Sequence, residues 1–94
     1  SSDILLSSLA LGCIGDAYME LEDQDKALKY YEEATDESDN GFTTPKYLFR
    51  QAMIHENNKD YDDALEIYKR IKSDYENSKE ANGIEKYISR AENR

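Results

Sequence analysis

This chain of 94 residues is short of almost everything that reactive sites are made from. It holds one cysteine, Cys13, so no intrachain disulfide can form, and a lone thiol says nothing reliable about compartment. It holds one histidine, His55, and a Ser-His-Asp or Cys-His arrangement would have to be built around it, yet its sequence neighbours offer no positioned nucleophile. No glycine-rich loop of the phosphate-cradling kind is present. Cations are scarce as well: 12 Lys and Arg stand against 21 Asp and Glu, and the net charge of -9 repels nucleic-acid backbones and anionic headgroups. That speaks against nucleic acid and against direct membrane-surface contact. No apolar run reaches the roughly 20 residues of a spanning helix, and no segment sustains the alternation of a strand. The expectation is an all-α chain that is not an enzyme, with no catalytic, cofactor or metal set.

What is there is helical spacing of apolar residues, enough for five helices in one domain, 1–94. A first helix over about 3–21 carries Leu6, Ala10, Cys13, Ala17 and Leu21 on one flank and Leu11, Ile14 and Tyr18 on another. After a turn at Asp23, a second helix buries Ala27, Leu28, Tyr31 and Ala34, which completes a hairpin over about 3–38. The Asn40-Gly41 turn is expected to use glycine's tolerance of positive φ. A third helix is expected to be capped by Thr44 and opened by Pro45. A fourth, capped by Asp60, carries Ala64, Leu65, Tyr68 and Ile71 inward, giving a second hairpin over about 44–75. A fifth, about 79–93, places Ala81, Ile84, Tyr87, Ile88 and Ala91 on one face and closes the stack.

One phrase occurs twice. Leu11, Gly15, Tyr18, Asp23, Ala27, Leu28 and Tyr31 return 37 residues later as Leu48, Ala52, His55, Asp60, Ala64, Leu65 and Tyr68. Small residues at Gly15 and Ala27, and again at Ala52 and Ala64, allow two helices to come close. With Ile14 and Gly15 before Tyr18, and Ala27 four residues before Tyr31, the pattern resembles the tetratricopeptide repeat, whose usual period is about 34 residues. Asp39 and Glu76 stand where that family has proline, and Gln51 and His55 replace an apolar and an aromatic residue. The resemblance implies an antiparallel helix-hairpin solenoid of two hairpins plus a capping helix. It also implies a protein–protein interaction module. Two copies and a closing helix resemble the C-terminal end of a longer bacterial array, of a kind found in envelope proteins, which slightly favours the periplasmic side of the cell envelope over the cytoplasm. The chain starts at Ser1 without methionine and is read as a fragment, anchored through a missing N-terminal part.

The family's binding face, carried over by register, is Leu9, Gly12, Asp16, Met19 and Glu20, then Lys46, Phe49, Arg50, Met53 and Glu56, with Tyr87 beyond. The expected occupant is a partner peptide or helix. Lys46 and Arg50 match part of a family clamp for C-terminal carboxylates, but Asp16 stands where an asparagine belongs; Met19, Phe49 and Met53 point instead to an apolar segment. The alternative is a purely structural cap with an empty groove. Ile4, Leu5, Leu6 and Leu9 form a second surface, expected to meet upstream repeats or another copy of the chain as a homo-oligomer.

Other signals weigh less. Ala10-Leu11-Gly12-Cys13 has the look of a lipoprotein signal, but no basic region precedes it and Ser7-Ser8 interrupt the apolar run. Asp36, Ser38, Asn40 and Gly41 imitate the start of a calcium loop, which then fails at Tyr47 where a glutamate is needed. Register makes His55 a packing residue, and the place of Cys13 on a helix flank beside Ala10 and Ala17 makes it a buried, inert thiol. Of the eight tyrosines, Tyr18, Tyr31, Tyr61, Tyr68 and Tyr87 are expected inside, while Tyr30, Tyr47 and Tyr75 are left undetermined.

Overall fold

A computed structural model describes residues 2–94, apart from the side chains of Ser2 and Ile4. Among the described residues there are five helices and no strand: α1 (Ser2–Glu20), α2 (Gln24–Glu37), α3 (Thr43–Asn57), α4 (Tyr61–Asp74) and α5 (Ile84–Glu92). Each helix packs on its neighbours in the chain, and α1 also touches α3. The result is two helical hairpins and a closing helix, an all-α hairpin solenoid with principal extents of 39 × 31 × 16 Å.

Apolar residues recur at helical intervals because two cores claim them. Ala27, Tyr31 and Ala34 of α2 bury against Tyr47 and Ile54 of α3, with Leu9, Leu11, Tyr18, Met19 and Leu28 packed around them. The second core takes Leu48 and Ala52 from α3, Ala64, Tyr68 and Ile71 from α4, and Ile84, Ile88 and Ala91 from α5. One helix, α3, therefore serves both. Burying Ile54 or Ile71 contributes about 1.5–3 kcal/mol each, against differences of at most about 0.7 kcal/mol in helix propensity between ordinary residues. Packing, not propensity, holds these helices.

Gly12 and Gly15 are where α1 yields to aromatic rings. A Cβ on Gly12 would lie 1.9 Å from the ring of Tyr47, and one on Gly15 would lie 2.6 Å from that of Tyr31. Gly15 thus makes room for the ring of Tyr31, and the undetermined Tyr47 proves to be one of the most buried side chains. The stacked rings of Tyr31 and Tyr47, 5.8 Å apart, bridge α2 and α3. Gln51, read as a departure from an apolar slot, is buried too; its amide donates to the Tyr31 carbonyl and to the Thr35 hydroxyl, both at 3.1 Å.

Several local expectations are corrected. Helix α3 begins at Thr43, ahead of the expected Thr44 cap, because Asn40 satisfies its first donors: the Asn40 Oδ1 accepts from the Phe42 and Thr43 amides at 2.9 and 2.7 Å. The Thr44 hydroxyl instead closes the loop, accepting from the Asn40 amide and donating to the Ser38 carbonyl. Positive φ falls not at Gly41 but at Glu22 (59°) and Lys59 (65°), the tight turns inside the two hairpins, and at Gly83 (84°). Asp23 caps α2 by accepting from the Lys26 amide at 3.1 Å, whereas Asp60, in the same place on α4, makes no side-chain cap. The fifth helix starts at Ile84, five residues later than the expected 79: the Ser78 hydroxyl takes the Ala81 amide in a separate turn, and the left-handed Gly83 precedes the first helical residue.

The outer flank of α1 faces solvent. Leu6, Ile14 and Leu21 are 61, 41 and 73 % exposed, and Ala10 and Ala17 are open beside them. Cys13 lies on the same flank and is exposed, which corrects its reading as a buried thiol. It sits opposite the rows that meet α2 and α3, so small size did not draw it inward.

Candidate partner-binding groove

Between α1 and α3 lies a groove of about 480 Å³ lined by Asp16, Met19, Glu20, Tyr31, Phe49, Arg50, Met53, Ile54 and Asn57. Asp16 and Met19 are one helical turn apart on α1, and Phe49 and Met53 one turn apart on α3, so each pair shares a face. The Asp16 carboxylate accepts from the Tyr31 hydroxyl and from Arg50 Nε at 2.9 Å. Burial first, then this carboxylate, pushes the Tyr31 phenol well above its usual range. The pair is half open: Arg50 and Asp16 side chains are 37 and 43 % exposed. Among the described residues only Nε of Arg50 is bonded, and its terminal nitrogens stay available to another acceptor. Met53 lies beside it, 36 % exposed.

A second groove of about 350 Å³ adjoins the first, sharing Met53 and Asn57 with it and lined further by Glu56, Lys59, Tyr61, Arg90 and Arg94. Here Glu56 accepts from the Tyr68 hydroxyl at 2.7 Å and from both Nε and Nη2 of Arg90, the latter at 2.8 Å. Arg90's hydrogen bonds hold the Glu56 carboxyl below the usual glutamate range, against the opposing pull of burial and with help from Tyr68. Burial and then Glu56 raise the Tyr68 phenol, as burial and then Asp16 raise that of Tyr31. The Phe49 ring meets Tyr87 edge-on at 5.0 Å, and the Arg90 guanidinium lies over Tyr87 at 4.8 Å.

Of the residues expected on the binding face, Asp16, Met19, Glu20, Phe49, Arg50 and Met53 line the first groove and Glu56 lines the second. Lys46 lies instead over the rings of Phe42 and Tyr47, and half-buried Leu9 packs against the first core. Gly12 is corrected outright: it is buried under Tyr47 and offers nothing to a ligand. Ile54, Asn57, Arg90 and Arg94 were not singled out for the face. A signal for Arg90 existed, since it follows Glu56 by 34 residues as Arg50 follows Asp16. On the upstream flank Leu5 is half-buried and Leu6 exposed, while the side chain of Ile4 lies outside the described residues.

His55 is half-buried at the end of α3, and one of its ring nitrogens lies within 4.8 Å of a carboxylate oxygen of Asp60 and of Asp63. Both aspartates are exposed and stand at the start of α4, where the helix dipole favours negative charge. No helix of the described chain is long and apolar enough to cross a membrane.

Two family models, each described as tetratricopeptide repeat, match the chain, one over residues 8–40 and the other over residues 46–78. No curated protein and no solved structure gives a match. Repeats of this family generally mediate protein–protein interactions and are typically non-catalytic. The two matched stretches fall on the two hairpins, α1–α2 and α3–α4, that the packing had already set apart. By sequence pattern, hairpin packing and both matches, the chain belongs to the tetratricopeptide repeat family.

Proposed function

We propose that this segment is a non-catalytic adaptor that holds part of a protein partner in the groove between α1 and α3. The observation that carries the reading is the pairing of an apolar surface, Met19, Phe49 and Met53, with an arginine whose terminal nitrogens are uncommitted. Methionine adapts its shape to irregular partners, and an aromatic beside an arginine is the composition that dominates binding energy in interfaces. A partner captured by the chain is then titrated against variants. Phe49→Ala and Arg50→Ala each weaken binding by about tenfold or more, and unchanged affinity in both overturns the reading.

The exposed flank of α1 supports a second reading, in which the segment is also the closing end of a longer solenoid. Leu6, Ile14 and Leu21 form an apolar stripe fit to receive a preceding hairpin or a second copy. A C-terminal place in a bacterial envelope array belongs to this reading, and the parent reading frame tests it directly. Light scattering tests self-association: a strict monomer that Leu6→Glu leaves unchanged counts against the second copy.

A further inference from the structure

Resting on the groove reading above, the charges along the concave face further specify the partner segment. The two grooves adjoin, with Met53 and Asn57 lining both, so a segment that crosses this boundary can contact both. Within them Asp16 neutralises Arg50 and Glu56 neutralises Arg90. What is left over differs at the two ends. At the α1 end Glu20 is exposed and forms no ion pair among the described residues. At the α5 end two cations, Lys59 and Arg94, likewise form none; Lys59 is set at the hairpin turn by its left-handed backbone, and Arg94 lies over the Tyr61 ring at 5.8 Å. Both cations also line a neighbouring recess with Asp60, Asp62, Asp63 and Glu92, and among the described residues they form an ion pair with none of these acids.

We infer that the concave face takes an amphipathic protein segment carrying opposite charges at its two ends, cationic beside Glu20 and acidic beside Lys59 and Arg94, with apolar residues between them on Met19, Phe49 and Met53. The overall charge of -9 would by itself favour a partner that is positive throughout. Screening confines that long-range pull to about 8–10 Å at ordinary salt, so the unpaired groups lining the face set the pattern at contact.

The test uses fluorescence anisotropy with four labelled synthetic peptides that share one apolar centre and differ only at the ends: opposite charges, both basic, both acidic, and neutral. The oppositely charged peptide binds tightest, by about threefold or more, as exposed charge pairs allow. Glu20→Lys transfers the preference to the doubly acidic peptide, and the double variant Lys59→Glu, Arg94→Glu transfers it to the doubly basic one. All three positions are solvent-facing, and circular dichroism checks that the helices persist. Binding that is lost in Phe49→Ala but is indifferent to the end charges, or that favours the doubly basic peptide in the unaltered chain, overturns the inference and leaves the groove reading standing. If none of the peptides binds in a Phe49-dependent way, the groove reading fails and takes the inference with it.

Discussion

The two junctions of the solenoid are built from the same three parts and finished differently. In each, a carboxylate on the first helix of a hairpin accepts from a tyrosine on the second helix and from an arginine 34 residues further along: Asp16, Tyr31 and Arg50 at the first junction, Glu56, Tyr68 and Arg90 at the second. The arginines are equally exposed, at 37 %, but the Asp16 side chain is 43 % exposed and that of Glu56 only 11 %. At the second junction the guanidinium is held by two parallel hydrogen bonds; at the first it is held by one. Aspartate is one methylene shorter than glutamate and reaches only one edge of the fork. One junction commits its arginine to holding helices together, and the other leaves donors facing a groove.

That contrast can be broken at its strong side first. Replacing Glu56 with alanine leaves a guanidinium and a shielded phenol without their acceptor and costs about 2–3 kcal/mol in urea unfolding. Acid removes the part of this that depends on the carboxylate's charge. Because the folded-state pKa of Glu56 lies below its unfolded value of 4.5, its contribution is complete above pH 4.5 and fades as pH falls through the folded value. The stability gap between the parent chain and Glu56→Gln therefore narrows below pH 4.5, and a gap that stays constant down to pH 3 would show that the carboxylate's charge is not what matters.

Next in size is the packing that sets the first junction. Gly12→Ala forces a methyl into the Tyr47 ring and destabilises by about 1–2 kcal/mol after the helical preference for alanine is allowed for. Gly41→Ala, with nothing within 4 Å of the added carbon, serves as its neutral partner in the same melt. Asp16→Asn, at the open junction, lowers stability by no more than about 1 kcal/mol; a loss equal to that of Glu56→Ala would erase the proposed division of labour. Smallest of all is Ser8→Ala: this buried hydroxyl has no hydrogen-bond partner among the described residues, and its removal raises the melting temperature slightly or leaves it unchanged.

The helices and their pairing were legible because apolar spacing and small residues report directly on burial: Ala27, Ala52, Ala64, Tyr31 and Tyr68 are all inside as their register required. The paired junctions were not legible by the same register. A shift of 37 residues matches Tyr31 with Tyr68, yet it sets Asp16 against Met53 and Met19 against Glu56. The second carboxylate has moved one helical turn along its helix, and the arginine has moved with it. Helix starts were missed where a side chain from outside the helix satisfied the end, as Asn40 does for α3. The open flank of α1 was half legible: its apolar residues were plain, but which row meets α2 depends on crossing geometry that one helix's pattern does not contain. Cys13 fell on the wrong side of that line.

Because α3 gives Tyr47 and Ile54 to one core and Leu48 and Ala52 to the other, neither hairpin has a private boundary. Loosening either end frays the shared element and so transmits the loss, which couples the melting of both halves into one cooperative step. Amide exchange would accordingly be slowest along the middle of α3 and fastest at the two outermost helices.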